Sequence, residues 1–271
     1  MIDAQALHAA HGTQDSASSS LAGKTVLVTG ASSGIGQGIA IELARLGADV
    51  AVNYVRNAAG AQETVGAVRA LGVRAEAFRC DVSSRADLFG MIESIDAVLG
   101  GPDIVVSNSV EVLTKPLMDV TEAEWQRAME ITCSAFLYLA QASAPIMRRR
   151  GAGWLIGITS LGAHRVLDDY ALLGVPKAAL EHLMRYLAAE LRPQGIRVNA
   201  VSPGAVKTAA MRAVRGDELA EERMAMFRAT APARQTAMPA DIGRLVAFLC
   251  SPQADLVVGQ TLVIDGGMSL Y

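Results

Sequence analysis

The stretch Thr29-Gly30-Ala31-Ser32-Ser33-Gly34-Ile35-Gly36 constrains the fold of this chain more than any other. It follows an apolar run, residues 25–29, that reads as a buried parallel strand. It opens a segment, 34–46, whose apolar residues recur at helical spacing up to Gly47. A tight turn from strand to helix leaves free backbone N–H groups at the helix start, and glycine lets a ligand come close to the backbone. Such a turn holds a pyrophosphate, so Gly30, Ser32, Ser33, Gly34, Ile35 and Gly36 are predicted to bind a dinucleotide. The plainer reading, a turn that only reverses the chain, does not account for the strand before it, the helix after it and the alternation that continues beyond.

That alternation runs through strands at 50–52, 75–78, 104–106, 154–158, 196–201 and 261–264, with helices around 61–71, 85–99, 177–191 and 241–249. A fourth helix is predicted to run unbroken from the N-cap Thr121, with Glu124 three residues on, to about Arg149. Seven strands alternating with six helices imply an α/β fold, a doubly wound parallel seven-stranded sheet with helices on both faces and right-handed crossovers. Residues 205–238 break the pattern and carry Met211, Met224, Met226 and Met238. They read either as ordinary helix and loop or as a lid over an apolar substrate. Residues 1–22, with Ser18-Ser19-Ser20, read as a flexible leader and 23–271 as a single domain, without repeats.

Composition narrows the function classes. Of 271 residues 51% are hydrophobic, enough for a substantial core, while 19% are charged and the net charge is −3. Nothing there supplies the basic field that nucleic acid requires. The basic triplet Arg148-Arg149-Arg150 reads as cations at a helix C-terminus. Cys80, Cys133 and Cys250 fit no metal-ligand spacing and read as thiols in a reducing compartment, so a cytoplasmic protein is expected. No apolar run reaches the ~20 residues that cross a bilayer. Past the second strand, where NAD enzymes often place an acid on the adenosine ribose, the chain has Asn53-Tyr54-Val55-Arg56-Asn57. With no acid there and Arg56 free to pair with a 2′-phosphate, NADPH is expected rather than NADH. A solvated loop cation is the plainer account of Arg56.

The eight-residue turn resembles the Thr-Gly-x-x-x-Gly-x-Gly motif of the short-chain dehydrogenases/reductases, and the resemblance extends over residues 23–267. It implies a Rossmann fold. It also implies that Asp81-Val82 contacts adenine, that Asn108 is the second Asn of the family's Asn-Asn-Ala-Gly segment, and that Pro203-Gly204-Ala205-Val206-Lys207-Thr208 is the Pro-Gly-x-x-x-Thr segment holding the nicotinamide carboxamide. Asp265-Gly266-Gly267 matches the family's last strand end. The family's usual catalytic pair is Tyr-x-x-x-Lys, which would place the tyrosine at Leu173 ahead of Lys177. Here the tyrosine is Tyr170, six intervening residues from Lys177, which resembles the enoyl-acyl-carrier-protein reductases of the family, especially the type that keeps a serine at Ser160. The family's fourth-helix asparagine is Thr132. The resemblance further implies a homodimer or homotetramer packed through the fourth and fifth helices.

In a carbonyl reductase the hydride reaches the carbon bonded to the oxygen that is protonated, so acid and nicotinamide sit close together. In a 2-enoyl thioester the hydride reaches the β-carbon and charge appears on a carbonyl oxygen farther along the conjugated chain. Moving the tyrosine back three residues shifts it by up to ~4–5 Å along a helix, the displacement this requires. Tyr170 is therefore expected to donate to the developing enolate oxygen. Lys177 is expected to favour the phenolate and to orient the nicotinamide ribose, and Ser160 to bond the same oxygen or the thioester. The expected substrate is a small acyl thioester on coenzyme A or an acyl carrier protein. The alternatives are a 3-ketoacyl or other carbonyl reductase, and a non-catalytic NADP-binding protein.

Overall fold

The central strands, Thr25–Val28, Ile104–Ser107 and Gly153–Ile158, are short, almost wholly apolar runs, buried along their length because helices cover both faces of the sheet. A computed structural model describes residues 21–208 and 217–270. The strands are β1 (Thr25–Val28), β2 (Asp49–Tyr54), β3 (Ala75–Arg79), β4 (Ile104–Ser107), β5 (Gly153–Ile158), β6 (Ile196–Pro203) and β7 (Thr261–Ile264). They form one sheet in the order β3-β2-β1-β4-β5-β6-β7, every pair parallel, with Val26 opposite Val50 on one side and Ile104 on the other. The order reverses between β1 and β4, and ligands of such sheets bind beyond the strand C-termini at that switch point.

The helices are α1 (Gly34–Arg45), α2 (Ala58–Arg69), α3 (Arg85–Leu99), α4 (Glu122–Met129), α5 (Ala135–Arg149), α6 (Ala171–Leu191), α7 (Asp217–Thr230) and α8 (Pro239–Leu249). Alternate strand residues feed two cores. Val26, Val28, Val50 and Val52 pack with Ile39 and Leu43 of α1, Val65 of α2 and Ile242 and Val246 of α8. Leu27, Val105 and Leu155 pack on the other face with Ile92 of α3, Phe136 and Leu139 of α5 and Met184 of α6. Full burial of such side chains stabilises the fold by about 1.5–3 kcal/mol each before entropy is counted.

Three boundaries differ from the sequence expectation. The fourth helix is interrupted: a π-helical turn, Glu130–Ser134, separates α4 from α5. The capping box at its start is as expected, with the Glu124 N–H donating to Thr121 Oγ1 and the Glu124 carboxylate accepting from the Thr121 N–H. The fifth helix begins at Ala171, with Pro176 inside it. Gly174 lets its first turns pack closely on the 161–163 turn, since a Cβ there would meet the Gly162 carbonyl oxygen at 2.6 Å. Within the span read as ordinary helix and loop or as a lid, α7 is helical and Val206 bridges Ala237, while residues 209–216, Met211 among them, lie outside the described residues. The expected leader lies outside them as well up to residue 20; Leu21 is buried and its N–H donates to the Leu46 carbonyl.

Candidate active site

The glycine-rich turn is held in shape by two asparagines and a threonine. Gly30 and Gly34 adopt φ of +62° and +60°, which side-chain-bearing residues rarely do. Asn53, buried at the end of β2, accepts from the Gly30 N–H and donates to the carbonyls of Phe78 and Cys80. The Thr29 hydroxyl accepts from the backbone N–H groups of Asn108 and Ser109, and Asn108 Nδ2 donates to the Thr29 carbonyl at 2.9 Å. A Cβ on Gly36 would lie 2.5 Å from the Gly30 carbonyl oxygen and 2.7 Å from Asn108 Nδ2, so only glycine fits there. Ser33 is the N-cap of α1 but makes no side-chain capping bond, which leaves helix-start donors facing the turn. This open cradle, with Ser32 and Ile35 on its rim, fits a pyrophosphate.

Other residues expected at the cofactor site surround the same switch point. Asp81 and Val82 follow β3. The Asp81 carboxylate accepts from the N–H and hydroxyl of Ser83 and from Arg127, which also pairs with Glu111. Partial desolvation would raise the Asp81 pKa, and those bonds outweigh it and hold the carboxyl below its ordinary value. Arg56 is exposed after β2 and carries no ion pair among the described residues. Pro203 ends β6 and Gly204, Val206 and Thr208 follow it, with the Thr208 methyl within 3.3 Å of a Cβ built on Gly34 of α1. Asp265 packs against Gly204 and accepts from the N–H groups of Gly267 and Ser269, which accounts for the Asp265-Gly266-Gly267 pattern structurally.

A cleft of about 290 Å³ opens beside the cradle and brings Asn108, Ser160, Tyr170, Leu173, Lys177 and Thr208 together. Much of its wall is apolar, from Val110, Val112, Leu161, Leu167, Phe227 and Met268. Tyr170 is its only phenol among the described residues and forms the N-cap of α6. Its ring lies against Gly162, where a Cβ would meet ring carbons at 2.5 Å. The residue before it, Asp169, has φ of +57°, and its carbonyl accepts from the Lys115 N–H, which fixes the turn that delivers the ring.

Tyr170, Leu173 and Lys177 follow one another along one helical face, so the leucine fills the turn ahead of the lysine. Burial raises the Tyr170 pKa, and the nearby Ser160 hydroxyl opposes that only in part, so the group is a neutral phenol and a donor. That hydroxyl is buried without a hydrogen bond of normal geometry, an orphan aimed into the cleft. Lys177 is 5% exposed, its pKa is lowered by burial to about 8, and its ammonium donates to the Ile158 carbonyl at 2.6 Å. Thr132 lies on the π turn, 3% exposed.

Sequence reasoning missed Leu173 as a wall of the cleft, and it missed Glu181. The latter is buried behind Ser160 and bonded to Thr159, where a lone acid in a helical apolar stripe reads as a surface charge.

A family model described as enoyl-(acyl carrier protein) reductase matches residues 30–269. The 7alpha-hydroxysteroid dehydrogenase of Escherichia coli K12 is 38% identical over 247 residues, covering 91% of this chain and 94% of that one. A hydroxynaphthalene reductase-like protein of Metarhizium majus is 36% identical over 257 residues, covering 92% and 96%. The L-sorbose reductase of Gluconobacter frateurii, solved with NADPH and L-sorbose, superposes with a TM-score of 0.85 at 30% identity, covering 92% of this chain and 98% of that one.

Proposed function

The chain belongs to the short-chain dehydrogenase/reductase family of oxidoreductases, and from that premise we propose that it is an NADPH-dependent reductase of trans-2-enoyl thioesters. The observation that carries the proposal is the position of Tyr170 in the cleft, with apolar Leu173 where a carbonyl reductase would carry its acid. NADPH when bound supplies hydride to the β-carbon. The proton that completes the saturated thioester comes from solvent at the α-carbon.

The chain's own residues do the rest. Tyr170, kept protonated by burial, donates to the enolate oxygen as charge develops there, and the orphan Ser160 hydroxyl supplies a second donor. Lys177 would hold the nicotinamide ribose, Thr208 and the Pro203-Gly204 turn the carboxamide, and Asp81 and Val82 the adenine. The apolar wall, Phe227 of the 205–238 segment included, excludes water from an acyl chain, which is the role of a lid. Coenzyme A and acyl carrier protein are both suitable thioester carriers. The expected assembly is a homodimer or homotetramer, and no helix among the described residues is long and apolar enough to cross a membrane.

The test is NADPH oxidation with crotonyl and acetoacetyl thioesters side by side. The enoyl substrate should be reduced at least ~10-fold faster, the consequence of a misplaced acid for the keto substrate. Fast keto reduction with no enoyl reduction overturns the proposal. That outcome is the second reading, carbonyl reduction, and it is favoured by the relatives named as a hydroxysteroid dehydrogenase and a hydroxynaphthalene reductase-like protein.

The cofactor preference has its own test. Arg56 stands exposed after β2, where no carboxylate is available to accept from a ribose hydroxyl. Arg56→Ala should weaken NADPH by ~10- to 100-fold, the loss of one charge-assisted phosphate contact, and leave NADH nearly unchanged. Equal weakening of both nucleotides in a fluorescence titration would show that Arg56 does not read the 2′-phosphate.

A further inference from the structure

Behind the wall that carries Ser160 and Tyr170 sits a carboxylate with no part in the chemistry described so far. Glu181 lies on α6 one turn past Lys177 and is 1% exposed. Thr159 Oγ1 donates to its Oε1 at 2.7 Å, and His164 Nε2 lies 3.0 Å from its Oε2, with Arg185 at 3.9 Å. Thr159 immediately precedes Ser160. His164 ends the short turn Leu161–Ala163. The carboxylate therefore grips one segment at both ends, and between the grips lie the Ser160 hydroxyl and the Gly162 platform on which the Tyr170 ring rests.

A carboxylate this deep is costly unless its lone pairs are filled, so the two contacts and the segment's position depend on one another. Because the segment is also packed against α6 through Gly174 and the Gly162 carbonyl, its remaining freedom is a slide or twist of the 159–164 backbone. Thr159 and His164 oppose that motion from opposite ends. A shift of well under 1 Å there would separate the Ser160 hydroxyl from the oxygen it is to meet.

We propose that Glu181 is a positioning residue that sets the Ser160–Tyr170 pair by clamping Thr159 and His164. The inference rests on the reading of Tyr170 as the donor to the reacting oxygen, but not on which substrate bears that oxygen. It is tested with whichever of the enoyl and keto thioesters the wild-type enzyme reduces. Glu181→Leu and Thr159→Val should each lower kcat by ~10- to 100-fold, with KM and the NADPH dissociation constant within ~2-fold, the pattern of a misplaced donor. Glu181→Gln keeps an acceptor for the Thr159 hydroxyl and should restore kcat to within ~5-fold of wild type. The double variant Thr159→Val/Glu181→Leu should be no slower than Glu181→Leu alone, since loss of the carboxylate already removes the Thr159 contact.

Unchanged kcat in both Thr159→Val and Glu181→Leu, with only a lower melting temperature in Glu181→Leu, would make the carboxylate a structural anchor and overturn the inference. A parallel rise in KM and in the NADPH dissociation constant would overturn it too, as a general loosening of the site. If Glu181→Leu does not fold, Thr159→Val decides by the same kcat criterion. Tyr170→Phe assayed alongside separates the two failures. Should it keep wild-type turnover, the donor assignment falls and this inference with it; should it lose turnover while the Glu181 and Thr159 variants keep theirs, the inference alone falls.

Discussion

Tyr170→Phe is expected to lower kcat by at least ~100-fold, within the range that positioned general acids contribute. The substitution removes only the hydroxyl. The ring that rests against Gly162 stays, so the turn at Asp169 and the start of α6 keep their packing. NADPH affinity should therefore hold within ~2-fold, because the phenol is assigned to the substrate oxygen and not to the cofactor. Lys177→Met provides the contrast: it removes the cation proposed to hold the ribose, so kcat and NADPH affinity should fall together. Steady-state kinetics with a nucleotide fluorescence titration separates the two patterns. Turnover by Tyr170→Phe within a few-fold of wild type would mean that another group supplies the hydrogen bond, and the enoyl proposal would lose its acid.

Gly36→Val should abolish measurable cofactor binding at ordinary concentrations, raising the NADPH dissociation constant by more than ~100-fold, equivalent to ~2.7 kcal/mol. The atoms in the way are the Gly30 carbonyl oxygen at 2.5 Å, Asn108 Nδ2 at 2.7 Å and the Ala31 Cα at 2.9 Å from the first added carbon. Two of these are backbone and the third is a side chain held by the Thr29 carbonyl, so none can yield without opening the turn. Overpacking of this kind costs ~1–3 kcal/mol of stability, which a thermal melt of the apoprotein would register independently of the titration. Binding of NADPH within a few-fold of wild type would show that the pyrophosphate does not approach the turn as assigned.

The sheet was readable from the chain because its buried strands are short apolar runs and its turns carry glycine where φ is positive, as at Gly30 and Gly34. The π turn was not. Glu130–Ser134 sits between two amphipathic stretches that each suit a helix, and one extra residue per turn changes the hydrogen-bond partners without changing the residue types. The fifth helix, expected around 177–191, starts earlier, and Pro176 lies inside it although proline favours a helix's first turn. The close packing of Gly174 on the Gly162 carbonyl, invisible in sequence, accompanies a helix that starts at Ala171.

The candidate site was legible where it rests on local motifs, as for Ser160, Tyr170 and Lys177, which the fold gathers in one cleft. It was not legible where it rests on pairing across elements. Asn53 looked significant for being no acid; its actual work is to join the Gly30 N–H to the end of β3. Asp81 was expected at the adenine, while its tie to Arg127 needed two segments far apart in sequence to meet.

The bonds from Asn53, Thr29 and Asn108 to the glycine-rich turn have a kinetic consequence. They exist within the folded chain itself, so the turn has no disordered ensemble to collapse when a nucleotide arrives, and little ordering entropy opposes capture. Encounter should then be governed by diffusion and orientation. Variants that loosen the turn from outside the cradle would have that ordering to complete on each encounter, and so would capture more slowly as well as hold for a shorter time.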